Sequence, residues 1–538
     1  MIASRRRRLP LWSPSPWLAP TAEGLAILSL VPLAAALFGS LAGHGTGYVH
    51  WWGSARGWEA LARTLAVAAP AAAVAVVLAW VLVSCAVRLS ARWAAMVLFA
   101  ACLPLLLPSS LLATAWIVAL GKQGVATAWL REATGGVALN LYSMPGAAFV
   151  LALRYFGIAA LVLAPGRLRR EGEWPAARVF GIPRLAATVH LHLRAAVRPV
   201  LAGWLLVCLF SMNDHIIPGM LLVSTYGTQV LIQYSALLDP GGAAALAAPV
   251  AAIGAVLAGS AVLAGKRAWS SPVDSERPYL RKGRAAERVA AAAGAAVLLA
   301  LALAVPMAVL ARRTESAGAV ADALASARDQ VRQTILVACA AGVVTVAAGA
   351  LLAGRWVRCR RTGERTLVPL VLVNLTVPAS LLGMGMLELA GHRPLDAVRD
   401  TSIPLLAGCV VRFLPLVTLL LYALWRGEPP EAVLAARVHG VPRWRTAWTV
   451  LWPIRRAALL GAALVAGLLS ATELEVSILL APPGGSTLGV RLYSLIHTAP
   501  DSMVSALAVG MLVLAGPAAA CLAALVASGR LRPGGATS

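Results

Sequence analysis

Five charged side chains stand inside or beside long apolar runs: Arg154, Asp214, Arg412, Glu473 and Glu475. An ionised group in hydrocarbon is costly and is retained where it pairs, faces water or meets a solute. The charges recur as a set: Arg154-Tyr155 and Arg412-Phe413 are 258 residues apart, and Asp214 and Glu473 are 259 apart. Two kinds of chemistry fit. Asp214 and Glu473 line a translocation path together with Arg154 and Arg412, or the carboxylates pair with the arginines as structural bridges. His215 follows Asp214, and both residue types ligate metals. Neighbours on one helix do not face the same way, so no metal site is expected. A phosphate-cradling loop needs a lysine after Gly-x4-Gly, and none of Lys122, Lys266 and Lys282 has that setting. HExxH and GxSxG are absent as well. No catalytic residue is expected, and energy for transport must come from a separate ATPase or an ion gradient.

The elements that hold these charges are membrane spans. The chain has 538 residues, 60% of them hydrophobic and 13% charged, with a mean hydropathy of +0.79. That composition excludes an ordinary soluble domain and predicts an all-α polytopic membrane protein. Spans of about 20 apolar residues are expected at 24–43, 64–87, 95–119, 144–164, 199–222, 243–264, 288–311, 334–353, 367–391, 403–425, 457–480 and 503–526. Internal prolines such as Pro70, Pro104 and Pro108 are expected to kink them rather than end them. The net charge of +24 comes from arginines in short connections, which fits topology and headgroup contact rather than nucleic acid. Lys and Arg crowd every second connection, which predicts cytoplasmic N- and C-termini. The block Arg5 to Arg8, a long polar spacer and a full-length run at 24–43 are read as an uncleaved first span. Seven cysteines are present, none in a CxxC pair, and they read as small buried apolar residues.

The strongest sequence signal is a repeated polar stretch. Ala176-Ala177-Arg178-Val179-Phe180-Gly181-Ile182-Pro183-Arg184 returns, with seven of nine positions identical, as Ala435-Ala436-Arg437-Val438-His439-Gly440-Val441-Pro442-Arg443. Both copies fall in connections expected on the cytoplasmic side. Ala-Ala-Arg-Val favours helix, Gly181 and Gly440 fit left-handed C-terminal caps, and Pro183 and Pro442 suit the start of a second helix. The duplication divides the chain into a first six-span repeat over 1–264, a polar linker over 265–287 and a second six-span repeat over 288–538. An even number of spans gives the repeats the same orientation, with a pathway expected where they meet.

These loops resemble the EAA loop of bacterial ABC importer permeases. Ala176, Ala177 and Gly181, then Ala435, Ala436 and Gly440, match its Ala-Ala-x3-Gly core, and Pro453 fits its trailing proline. The chain is similar over most of its length to the fused two-domain permeases of ferric-iron and thiamine importers. Pro175 and Leu434 stand where the motif has Glu, with Glu173 and Glu431 two and three residues earlier as the nearest substitutes. The resemblance implies a type I ABC importer transmembrane domain in a bacterial plasma (inner) membrane. It further implies that Glu173, Ala176, Ala177, Arg178, Gly181, Arg184, Glu431, Ala435, Ala436, Arg437, Gly440 and Arg443 dock two cytoplasmic ATPase subunits. Those subunits would use ATP and magnesium, this chain would hold no cofactor, and an extracytoplasmic solute-binding protein would deliver the solute. The other reading left open by the residues is an ion-coupled secondary transporter that uses the intramembrane carboxylates.

Overall fold

The computed structural model describes residues 55–122, 140–170, 195–270, 285–358, 374–425 and 431–529 apart from 394 and 497, most of 24–38, and positions 124, 127–128, 131–132, 179–181 and 183. Every regular element among them is a helix, the arrangement that satisfies each backbone group without water. Among the described residues, 9 helices are long and apolar enough to cross a membrane, or 10 if a bent pair counts as one span. The chain is thus an all-helical multi-pass membrane protein. About twelve spans were expected from hydropathy. Of the difference, 24–43 and 367–391 lie partly outside the described residues, and 95–119 is the bent pair.

The first half contributes α1 (Ala55–Ala86), α2 (Ala91–Cys102), α3 (Ser109–Leu120), α4 (Met144–Arg170), α5 (Ala195–Asn213), α6 (Ile216–Met220), α7 (Tyr226–Ser235) and α8 (Pro240–Ser270). The second contributes α9 (Ala285–Arg313), α10 (Ala317–Ser326), α11 (Arg328–Arg358), α12 (Ala379–Ala390), α13 (Ile403–Trp425), α14 (Glu431–Val438), α15 (Trp444–Ala471), α16 (Glu475–Leu480), α17 (Leu488–Ile496) and α18 (Asp501–Ala527). Helices α1, α4 and α5 pack on one another and α5 on α8, and α11, α13, α15 and α18 repeat that pattern. The face of α1 is a stripe of buried alanines, Ala68, Ala71, Ala72, Ala75 and Ala79, which meets Ala147, Ala152 and Ala159 of α4 within one core cluster. Small side chains let backbones close up where lipid supplies no hydrophobic drive.

The expected span 95–119 is broken rather than kinked: residues 91–106 and 109–120 meet at 94°. A turn of 3-10 helix over Leu103–Leu106 leads to Pro108, which opens α3 at ψ 139. Proline has no N–H to give, so carbonyls of the preceding turn lose their helical donors. Pro378 opens α12 in the same way at ψ 140. The runs 199–222 and 457–480 also end early, at Asn213 and Ala471, and each restarts as a short helix, α6 or α16.

Each half reaches across to the other. The helical turn at 31–36 lies against α12 so closely that a Cβ on Gly385 would overlap the Pro32 carbonyl. Helix α9 in turn packs on α1 and α3 of the first half.

One register differs from the expectation. At an offset of 259, Thr228, Tyr234 and Ser235 align with Thr487, Tyr493 and Ser494. In the structure Thr225 and Thr487 are the equivalent residues, each just before its helix. The next N–H, of Tyr226 or Leu488, donates to Thr64 Oγ1 or Thr334 Oγ1 at 2.8 Å in both halves. The loop after α16 is longer than the one after α6, so the offset becomes 262. Replacing Thr64 or Thr334 by Ala strands a buried N–H and should lower stability by about 1–3 kcal/mol, whereas Ser should retain most of it. Thermal unfolding midpoints of the four single variants in one detergent check this.

Candidate functional site

The second copy of the repeated loop is formed by α14 and the start of α15. Helix α14 ends in a closed cap: Gly440 N–H donates to Arg437 O at 2.9 Å and Val441 N–H to Ala436 O at 2.9 Å. This pairing requires a left-handed residue after the helix, and Gly440 supplies it at φ +67. Thr446 N–H then donates to Pro442 O at 2.9 Å as the next helix begins. Ala436 is buried beneath the turn, while Glu431, Ala435, Arg437, Val438 and Gly440 are exposed. In the first copy Gly181 also has φ +67. The residues at the two tips are strongly exposed, Val179 at 84% and Val438 at 83%, with Phe180 at 79% beside the former. Glu173, Ala176, Ala177, Arg178 and Arg184 lie outside the described residues, as does the side chain of Arg443, whose backbone starts a helix.

The second assembly is the set of intramembrane charges, gathered where the helix breaks of the two halves meet. Arg154 Nε lies 3.5 Å from Asp214 Oδ2. The same oxygen accepts from Tyr155 and from Ser109, each at 3.0 Å, while Asp214 Oδ1 accepts from Ile217 N–H at 3.2 Å. In the second half Arg412 Nε donates to Glu473 Oε2 at 3.0 Å, and Glu473 Oε1 accepts from Val476 N–H at 3.3 Å. Each carboxylate therefore anchors an arginine and caps the short helix after its break, with the capped residues 259 apart. Capping by Asp214 or Glu473 gives a donor at the helix N-terminus its partner where water cannot. Arg154 has a further duty, since its Nη1 donates to Leu107 O at 2.7 Å and Pro104 O at 3.3 Å. It thus supplies Leu107 O with a donor at the proline break and adds a second to Pro104 O, which also accepts from Leu107 N–H at 3.4 Å. Arg154 with Asp214, and Arg412 with Glu473, thus stand in paired geometry.

One contact joins the halves directly: His215 Nδ1 is 3.2 Å from Glu475 Oε1, with both side chains buried. Sequence reasoning placed these residues near the charges but did not pair them. A usable signal existed, because His215 and Glu475 are offset by 260, one step from the repeat register. Residues at near-equal repeat positions meet where a pseudo-twofold axis passes. Beside His215, among Met212, Asn213, Tyr226 and Gly227, the free volume is about 10 Å³, close to that of one water. No group of three or more His, Cys, Asp or Glu side chains that could hold a metal occurs among the described residues.

Neither the curated proteins nor the solved structures contain a match to this chain. One family model matches, over residues 345–529, the stretch that runs from within α11 through the loop and the second set of paired charges to the end of α18. Over that segment the chain is similar to the family described as binding-protein-dependent transport system inner membrane component.

Proposed function

We propose that the chain is the membrane-spanning permease subunit of an ATP-driven importer, with permease repeats at 1–264 and 288–538 joined by a linker at 265–287. Two cytoplasmic ATPase subunits, which use ATP and magnesium, dock at 173–184 and 431–443. An extracytoplasmic binding protein delivers a small solute, of the ferric-iron or thiamine kind, in a bacterial inner membrane with both termini of this chain cytoplasmic. The observation that carries the reading is the duplicated tip: Val179 and Val438 project from turns closed by glycines at φ +67. An apolar tip on a short helix suits insertion into a groove on a partner, and its presence in both halves matches two copies of that partner. ATP-driven closure of the partners would draw the tips together and reopen the path on the outer face.

The ion-coupled alternative needs a carboxylate free to take up and release a proton. Asp214 and Glu473 are each held by an arginine and by a backbone N–H, which favours the ATP-driven reading. Affinity purification of the full chain from its native membrane tests it. An ATPase subunit should accompany the chain, and uptake into vesicles should require ATP inside a membrane with no pH gradient. Recovery of the intact chain without any ATPase, with uptake driven by a pH gradient alone, would sink the proposal.

A further inference from the structure

The three intramembrane ion pairs differ in one respect that matters for any motion. Arg154 with Asp214, and Arg412 with Glu473, each belong to one half of the chain, whereas His215 and Glu475 come from different halves. A motion that parts the halves carries the first two pairs along intact. It splits the third. Glu475 then becomes a carboxylate without its partner in a low-dielectric setting, which is strongly unfavourable. Its Oε2 already has no hydrogen-bond partner, and neither does the buried Asn213 Oδ1 two residues before His215. Both unmet groups are acceptors, so a donor or positive charge arriving between the halves would be met by Glu475 and Asn213. Arg412 and Arg154 act on Glu475 through space but are committed to Glu473 and Asp214.

We infer that Glu475 is the solute-contacting carboxylate of the path, that His215 occupies it while the path is closed, and that the transported solute carries a positive charge. This rests on the permease reading above and assigns the side chain that meets the cation. The arriving cation replaces His215 on Glu475 and so offsets the loss that opening would otherwise entail. Anionic solutes meet an exposed carboxylate and are rejected. The small free volume beside His215 is what a closed path looks like at this point.

The test reads the charge of the opened site without knowing the solute. The full chain, co-purified with its ATPase and reconstituted in proteoliposomes, carries Asn213→Cys as a reporter, with the seven native cysteines replaced by Ser or Ala. Two methanethiosulfonate reagents are compared, one bearing trimethylammonium and one bearing sulfonate. During ATP hydrolysis the cationic reagent should react faster by about tenfold, the effect of one nearby unit charge at intermediate dielectric. Glu475→Gln should bring the two rates to near parity, and Glu475→Asp should keep the preference. His215→Gln should make the reporter thiol reactive without ATP. Parity with Glu475 present, a faster sulfonate, or no reaction with either reagent during hydrolysis would each overturn the inference while leaving the permease reading in place. Failure of any ATPase to accompany the chain would remove both.

Discussion

Gly181→Val combined with Gly440→Val is expected to abolish ATP-driven uptake, whereas Gly181→Asn combined with Gly440→Asn is expected to retain most of it. At both glycines a Cβ would meet nothing within 4 Å, so neither change acts through a clash. The backbone decides instead. Both residues sit at φ +67, where a β-branched side chain is strained by about 1–2 kcal/mol per site and Asn is tolerated. Valine therefore opens the cap, releasing the bonds from Gly440 to Arg437 and from Val441 to Ala436. The tips at Val179 and Val438 turn away from their present direction. The spans are untouched, so the chain should reach the membrane in normal amount. Uptake per milligram of reconstituted transporter, with ATPase retention on affinity resin, separates the outcomes. Equal uptake by the Val and Asn pairs would show that these turns do not couple the motor to the path.

Arg412→Met should destabilise the fold by about 3–5 kcal/mol, the usual effect of removing one partner from a buried ion pair. Glu473 would remain, with 9% of its side chain exposed, and the cap it gives to Val476 would not offset its charge. Arg412→Met with Glu473→Gln should recover most of the loss, because Gln still accepts from the Val476 N–H and carries no charge. Arg154→Met differs in kind. It leaves Asp214 with Tyr155, Ser109 and Ile217, but it also strips the guanidinium donor from Leu107 O and leaves Pro104 O with only the Leu107 N–H at 3.4 Å. Pairing it with Asp214→Asn should therefore recover less than the Arg412–Glu473 double variant does. Thermal unfolding of the four variants in nanodiscs gives the comparison. Full recovery in the Arg154 double variant would show that the proline-break carbonyls do not depend on that guanidinium.

Much of the fold is legible in the residues. Long apolar runs predict helices, and the identities between 176–184 and 435–443 predict the repeat that α1, α4 and α5 share with α11, α13 and α15. The left-handed glycines follow from helix formers ending at Gly181 and Gly440. What hydropathy could not carry is direction. Leu103–Leu106 and Pro108 are as apolar as a straight span, so the 94° turn is invisible to it. Identity at a constant offset also misled past α6, where Thr228 and Thr487 match in type while the hydrogen bonds to Thr64 and Thr334 mark Thr225 and Thr487 as equivalent. The pairings Arg154–Asp214 and Arg412–Glu473 follow from opposite charges placed in apolar runs of the same repeat. His215–Glu475 crosses between repeats: its offset of 260 lies one step from the repeat register, but the contact shows only once the two halves are set against each other.

The crossing of the first helices limits how the molecule can move. Residues 31–36 are seated on α12, and α9 is seated on α1 and α3. The two bundles are interlocked like clasped hands, so straight separation would unseat both clasps at once. The Ala-lined contact of α1 with α4 lies within one bundle and can ride along rigidly. Any relative motion of the halves must therefore keep or break these crossed contacts, and those of α18 on α2 and α12 on α8, together.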